Sequence, residues 1–448
     1  MNQLKQFPYH DILVLGLAKS GTAACEILTR NGCIVKANDL NAKSDDPAII
    51  QLKKLGVEVV TGEHPLSLLE GIDVIVKNPG IPYENELIKE ALNQKIPVIT
   101  EIELVQYLTN NQIIGITGSN GKTTTTTLIN EMLTNSNQPN KIAGNIGKVA
   151  AEVATTLEEN ETMVVELSSF QLMGTETFHP KIAVLLNLFE AHLDYHHTFE
   201  NYQHAKAQIF ANQDENDFII YNADDADVNE MVQTAKSMKI PFSTKQQLTN
   251  GAWCDDTHIY FKDKKIIELS EIALVGKHNL ENILASVAAC LLAGGTIQGI
   301  KDVLTTFTGV KHRLQFIKNH HNRLFYNDSK ATNILATTKA ISAFNHPIIL
   351  LAGGLDRGNG FDELAPYLQS VKALIVFGET AKKLEAIGKQ VGIETIIHVE
   401  TMEQAVANAY EHSKEHDVIL LSPACASWDQ YRTFEERGDM FIKAVHTL

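Results

Sequence analysis

At 448 residues the chain exceeds what one hydrophobic core supports, so several domains are expected. Its 44% hydrophobic content, 27 glycines and 12 prolines are ordinary globular usage, with no low-complexity segment. A formal charge of −16 argues against a nucleic-acid partner and leaves anionic ligands to local nests and single basic residues. Cys25, Cys33, Cys254, Cys290 and Cys425 are odd in number and widely spaced, which suits free thiols in a reducing compartment. The first residues lack the apolar run of a signal peptide, and no stretch is long and apolar enough to span a bilayer. A cytoplasmic location without membrane insertion is expected.

Strand-like runs alternate with helical patterns from end to end, which predicts an α/β chain with mostly parallel sheets. The first unit opens with Asp11-Ile-Leu-Val-Leu-Gly-Leu-Ala-Lys-Ser-Gly21 and continues through apolar runs at 33–39, 57–60 and 73–80. Gly16-x-Ala18-x-x-Gly21 has the Rossmann spacing with alanine at the second glycine, and Asp39 stands near the ribose position. The alanine crowds a pyrophosphate, so a tight strand–helix turn with no ligand is the alternative.

A second unit begins with Ile113-Ile-Gly-Ile-Thr-Gly-Ser-Asn-Gly-Lys-Thr-Thr-Thr125. An apolar strand ends at Thr117, a glycine loop follows, and a threonine-rich helix begins. Backbone N–H groups in such a loop, backed by a helix N-terminus, form a nest for a polyphosphate. Lys122 would reach the terminal phosphates and the Thr123 hydroxyl would face magnesium. Ile116 stands where the general phosphate-loop pattern has its first glycine.

Further strands are expected at 162–167, 182–187 and 217–221, and a helix at 279–290. Glu166, at a strand carboxyl end, is either a magnesium ligand or a helix-capping or surface glutamate. Asn187 ends the next strand. His192, in the loop after it, is either a metal or phosphate contact or simply solvated. His196 and His197 lack the partners of a tetrahedral zinc site. Lys206 falls in line with Tyr202, Ile209 and Phe210 on a helix. It either snorkels outward or is held desolvated, where an amine can add carbon dioxide and become a carbamate, an oxygen donor suited to magnesium.

The third unit begins near Val310, with strands expected at 323–327, 347–352, 373–378 and 417–422. Lys311, His312 and Arg313 stand at its start. Three strand-end loops carry polar residues: Asn327-Asp-Ser-Lys-Ala-Thr-Asn333, Gly353-Gly-Leu-Asp-Arg-Gly358, and the long segment from Ser422 to Gly438. Each alone could be turn chemistry. Their common position at strand carboxyl ends predicts a shared cleft.

Thr117-Gly-Ser-Asn-Gly-Lys-Thr-Thr124 resembles the ATP loop of the Mur ligases, the peptide ligases of peptidoglycan precursor synthesis. Glu166-Leu-Ser-Ser-Phe-Gln-Leu172, Gly144-Asn-Ile-Gly147, Tyr202-x-x-Ala-Lys206, His278-Asn279, His312-Arg313 and Asp328-Ser-Lys-Ala-Thr-Asn333 are similar to that family too. The resemblance spans essentially the whole chain. Ser422-Pro-Ala-Cys-Ala-Ser-Trp-Asp-Gln-Tyr431 is its most specific part and resembles members that add D-glutamate.

The resemblance implies three domains: a Rossmann-like UDP-substrate-binding domain at 1–102, a central ATP-binding P-loop domain at 103–309, and a Rossmann-like amino-acid-binding domain at 310–448. It implies Ser20, Asp39, Pro79, Gly80, Asn145 and His192 around the UDP-linked substrate. Gly118, Ser119, Asn120, Gly121, Lys122, Thr123 and Thr124 would cradle ATP, with Asn279, Asn282, Arg313 and Asp328. Thr123 and Glu166 would hold one magnesium ion, and His192 with carbamylated Lys206 a second. Lys330, Thr332, Arg357, Ser427, Trp428 and Phe434 would form the D-glutamate pocket. Lys122, His192 and Lys206 would carry the catalysis. Two departures stand out: Leu40-Asn41 lack the threonine–arginine pair of some relatives, and Arg357 stands where some carry lysine.

The implied partners are ATP, D-glutamate and UDP-N-acetylmuramoyl-L-alanine. ATP would phosphorylate the alanyl carboxylate, and the amine of D-glutamate would attack the acyl phosphate through a tetrahedral intermediate. A monomer is expected, with closure of its third domain to protect the acyl phosphate. The rivals are a related amide ligase with another amino acid, a nicotinamide oxidoreductase resting on the Gly16 turn, and a nucleotide-gated binding protein. The second leaves the phosphate loop and Glu166 unexplained, and the third leaves the third domain unexplained.

Overall fold

Short apolar runs bounded by Gly, Asn and Asp become strands, and the longer amphipathic segments between them become helices. The computed structural model describes residues 1–274 and 276–448. The first sheet contains β1 (Asp11–Leu15), β2 (Ile34–Asp39), β3 (Glu58–Thr61), β4 (Val74–Lys77) and β5 (Val98–Ile99). They lie in the order β3-β2-β1-β4-β5 with every pairing parallel. The strand order reverses between β1 and β4, which opens a crevice at their carboxyl ends.

The second sheet has nine strands: β6 (Ile113–Thr117), β7 (Asn140–Gly144), β8 (Thr162–Glu166), β9 (Ile182–Leu185), β10 (Phe218–Asn222), β11 (Met238–Ser243), β12 (Ala252–Cys254), β13 (His258–Phe261) and β14 (Lys264–Glu268). Their order is β14-β13-β12-β11-β10-β9-β6-β8-β7. Pairing is parallel from β7 to β12 and antiparallel from β12 to β14. β6, β8 and β9 are buried along their whole length, as interior parallel strands covered on both faces must be.

The third sheet contains β15 (Gln315–His320), β16 (Arg323–Asn327), β17 (Ile348–Gly353), β18 (Val371–Phe377), β19 (Thr395–His398) and β20 (Val418–Leu421). Its order is β15-β16-β20-β17-β18-β19, parallel except for the β15–β16 hairpin. Side chains alternate across it. Leu350, Leu374 and Leu420 enter the core on one face, and Ile349, Ile375 and Ile419 the core on the other.

The fold therefore has the three α/β sheets expected from sequence. The apolar pattern does not mark β5, β7, β11 to β15 or β19. The chain divides into two compact units. Met1–Ala273 with Lys277–Thr306 holds the first two sheets, and Leu274–Gly276 with Phe307–Leu448 holds the third. Among the described residues no helix is long and apolar enough to cross a membrane.

Candidate active site

The phosphate loop leaves the carboxyl end of β6 and turns into the helix Lys122–Asn135. Ile116 is still inside β6 and fully buried, which accounts for the missing glycine of the general pattern. Gly118 and Gly121 both have positive φ. A Cβ on Gly121 would sit 2.1 Å from Asn282 Oδ1, and one on Gly118 2.9 Å from Leu186 Cβ. Asn187 clamps the loop, its carbonyl accepting from Ser119 N at 3.0 Å and its Oδ1 from Asn120 N at 2.8 Å. Lys122 Nζ donates to Gly118 O at 2.9 Å and Ser119 O at 3.2 Å, so the ammonium stays at the loop. Thr123 is buried at the start of the helix, and Thr124 follows it. Asn279 and Asn282 come from the helix Lys277–Leu292, where Asn282 Nδ2 donates to Asn279 Oδ1 at 3.2 Å. The His278 side chain lies outside the described residues.

Glu166 ends β8, in register with Ile116 on β6, which brings it beside the loop. It is 1% exposed, so it is no surface glutamate. Asn145 Nδ2 donates to its Oε1 at 2.8 Å. Its Oε2 is buried and has no hydrogen-bond partner among the described residues. Leaving a carboxylate oxygen bare in the interior is costly, and a divalent cation relieves that cost. The donor set of Thr123 hydroxyl and Glu166 carboxylate fits magnesium, which prefers oxygen ligands.

Lys206 does not snorkel. It is 1% exposed, and its Nζ donates to Gly118 O at 2.9 Å and Thr117 Oγ1 at 3.4 Å while lying 4.6 Å over the Tyr202 ring. Burial, then the charge of Lys122, drives its ammonium well below the usual lysine range. Tyr202 Oη donates to Ser119 Oγ at 3.0 Å, fastening this helix to the phosphate loop. His192 has φ +55° and packs edge-on to Phe170 at 5.0 Å. Desolvation and the nearby Lys122 charge hold its ring below the ordinary histidine value, as a neutral donor of lone pairs. The sequence reading weighs His196 only against a zinc site and misses its structural role: it is buried, stacks on Phe170 and meets Ser169 Oγ through Nε2 at 2.9 Å. It ties the turn after His192 to the segment after Glu166.

The residues expected around a UDP moiety gather at the carboxyl ends of β1, β2 and β4. Asn78 Nδ2 donates to Ser20 Oγ at 3.0 Å, and Gly80 N donates to Asn78 Oδ1 at 3.1 Å beside Pro79. The Asp39 carboxylate accepts from Leu17 N, Asn41 N and Ala42 N at 2.7, 2.8 and 2.9 Å. It thereby pins the Gly16 turn to the end of β2. Asn145 stands apart from this group, beside Glu166.

In the other unit, loops at the carboxyl ends of β16, β17 and β20 come together. Asp328 is 9% exposed and accepts from Leu314 N at 3.1 Å and Ser422 Oγ at 2.9 Å. Burial raises its carboxyl to about 7. Arg313 lies next to Leu314 in the same turn, close enough for its charge to oppose that rise. Lys330 Nζ lies 5.6 Å over the Phe434 ring, and Thr332 N donates to Lys330 O at 2.9 Å. Arg357 lies 5.1 Å over the Trp428 ring, which is 65% exposed, whereas Ser427 beside it is buried and its hydroxyl has no hydrogen-bond partner among the described residues. A second residue missed from sequence is Arg437, fully buried in the helix Phe434–His446. Its guanidinium donates to Ser329 Oγ, Ser329 O and Cys425 O at 3.0, 2.9 and 3.0 Å, splinting the loops that carry Lys330 and Ser427.

Three family models match in succession. Residues 10–100 match the MurD-like N-terminal domain of Mur ligases, 116–290 the Mur ligase middle domain, and 312–425 the Mur ligase glutamate ligase domain. The chain is 58% identical over 448 residues to a UDP-N-acetylmuramoylalanine--D-glutamate ligase of Oceanobacillus iheyensis, covering all of both chains. It is 56% identical over 438 residues to the Bacillus subtilis protein of that name, covering 97% of each. Among solved structures, a UDP-N-acetylmuramoyl-L-alanyl-D-glutamate--2,6-diaminopimelate ligase shares the fold at TM-score 0.59 and 20% identity, covering 93% of this chain and 94% of that one. The UDP-N-acetylmuramate-alanine ligase of Thermotoga maritima does so at TM-score 0.57 and 18% identity, covering 98% and 99%. With full-length identity above half and three domain matches in order, the chain belongs to the Mur ligase family.

Proposed function

We propose that this chain is the ATP-dependent ligase that joins D-glutamate to UDP-N-acetylmuramoyl-L-alanine in cytoplasmic peptidoglycan precursor synthesis. The observation that carries the reading is full-length identity of 58% to a ligase of that name, in a chain whose phosphate loop is intact. Its domains are taken as 1–102 for the UDP substrate, 103–309 for ATP and 310–448 for the amino acid, and a monomer is the working unit.

A carboxylate does not condense with an amine in water, because hydroxide is a poor leaving group. In this reading ATP phosphorylates the L-alanyl carboxylate, and the amine of D-glutamate displaces phosphate through a tetrahedral intermediate. The nest from Gly118 to Thr124 grips the ATP phosphates, and Lys122 neutralises charge on the transferred phosphoryl group. Asn279, Asn282, Arg313 and Asp328 orient the nucleotide. Ser20, Asp39, Pro79 and Gly80 hold the UDP end of the acceptor, with Asn145 and His192 nearer the reacting end. Thr123 and Glu166 would hold one magnesium ion, and His192 with Lys206 as its carbon dioxide carbamate a second. Magnesium supplies charge neutralisation between the two anionic reactants. Lys330, Thr332, Arg357, Ser427, Trp428 and Phe434 receive D-glutamate, Arg357 presenting a planar fork to a carboxylate.

Phosphate release from ATP tests this directly, with UDP-N-acetylmuramoyl-L-alanine present and D-glutamate, L-glutamate, L-lysine or meso-diaminopimelate compared. Release should require D-glutamate. Equal or greater turnover with another amino acid would transfer the chain to a different ligase of the same family.

A further inference from the structure

Lys77, the last residue of β4, has no place in the chemistry above, yet it is 1% exposed. Its Nζ donates to Ile81 O at 2.9 Å, Pro79 O at 3.3 Å and Asn78 O at 3.4 Å, and to Tyr195 Oη at 3.0 Å. The rings of Tyr83 and Tyr195 flank it at 4.8 and 5.8 Å. Among the described residues no carboxylate pairs with it. Burial pushes its ammonium down to about 7. Packing alone would be served by methionine, so a lysine retained in this slot is explained by the four oxygens it satisfies.

Those oxygens belong to two loops far apart in sequence. Asn78, Pro79 and Ile81 form the loop assigned to the UDP moiety. Tyr195 lies on the short helix Leu193–His196, whose cap is His192. Tyr195 Oη also donates toward Ile81 O at 2.9 Å and Pro79 O at 3.1 Å, and its ring packs against Phe170 at 4.6 Å. Phe170 in turn contacts His192. A second bond in parallel, His197 Nε2 to Glu84 Oε1 at 2.6 Å, joins the same two segments.

We propose that Lys77 is a positioning residue that locks the UDP-binding loop to the turn carrying His192, so that the nucleotide end of the acceptor and its reacting end are held in one register. The inference rests on the function proposed above, and the experiment separates the two. Uridine diphosphate is titrated calorimetrically into the wild-type chain and into Lys77→Met and Tyr195→Phe, and ligation kinetics are measured on the same preparations. Lys77→Met should weaken uridine diphosphate binding and lower kcat, each by about tenfold, with KM for D-glutamate unchanged. Tyr195→Phe should shift the same two quantities. The double variant should lose little beyond the worse single one, because both changes break one connection. Failure of the wild-type chain to bind uridine diphosphate or to use D-glutamate would overturn the function itself. Normal wild-type behaviour with unchanged binding and kcat in Lys77→Met, or with fully additive losses in the double variant, would overturn the positioning role alone. If Lys77→Met does not fold, Tyr195→Phe decides by itself: wild-type binding and kcat there would equally overturn it.

Discussion

Lys206 sits where an ammonium is disfavoured twice, by burial and by the Lys122 charge. A lysine kept in such a place and aimed at the phosphate loop is poised to react as a neutral amine, and a carbamate would turn a misplaced cation into an oxygen donor for magnesium. Lys206→Arg keeps the charge but cannot be carbamylated. It should fold, bind the muramoyl nucleotide and lose ligation by on the order of 100-fold or more. Lys206→Ala should fail likewise, and a short carboxylic acid should restore part of its turnover by supplying the missing oxygens. Turnover near wild type in Lys206→Arg, measured as phosphate release, would remove the carbamate from the mechanism. The position of Lys206 in an apolar stripe was legible in the sequence, but its direction was not. Snorkelling and burial share one spacing, and only Gly118 O and Thr117 Oγ1, brought in by folding, decide between them.

The helices and strands around the site show why some elements could be read and others not. β6, β8 and β9 are continuous apolar runs ending in Thr, Glu or a loop of Asn, so both strand and carboxyl-end chemistry were visible. β14 carries Lys264 and Lys265, β15 is half-exposed along its length, and β19 lies at a sheet edge. Edge strands bury too little to show an apolar pattern, and their lysines guard against edge pairing. The helix Glu101–Leu108 holds another feature invisible to pattern. Glu101 is 2% exposed and accepts from Ala151 N, capping the helix Ala150–Thr155 from a distance. Burial, its dominant influence, raises its carboxyl to about 7 from an ordinary 4.5. Between those values the folded chain keeps a proton that the unfolded chain has released. Stability therefore falls as pH rises from 4.5 to about 7, by at most ~3 kcal/mol from this group. Glu101→Gln keeps an acceptor for Ala151 N and removes the titration. Its melting temperature should match wild type near pH 4.5 and exceed it at pH 8. Parallel melting curves for the two proteins across that range would show that burial does not govern Glu101.

On the scale of the whole molecule, the acidic balance and the site's chemistry fit together. A chain of charge −16 cannot attract ATP, a nucleotide sugar and glutamate by its overall field, so each anion needs its own nest or basic group. The structure supplies these at strand carboxyl ends in two separate compact units, with the phosphate loop and Lys122 in one and Lys330 and Arg357 in the other. Sequence order alone could mark the loops, because glycine, asparagine and aspartate cluster there. It could not reveal Arg437 or Lys77, whose partners are backbone carbonyls and the hydroxyls of Ser329 and Tyr195 that only the folded chain collects. The proposed reaction needs ligand groups from both units on one acyl phosphate, shielded from water. Substrate should therefore drive compaction, with the segment around Thr308, Gly309 and Val310 absorbing the change; Gly309 has φ +126°, a conformation that residues with a Cβ rarely adopt. Small-angle scattering with a non-hydrolysable ATP analogue and UDP-N-acetylmuramoyl-L-alanine should give a smaller radius of gyration than the free chain. The forward intensity should stay at the monomer value under both conditions. Superimposable curves with both ligands bound, verified by calorimetry on the same sample, would mean that the acyl phosphate is protected without a large movement.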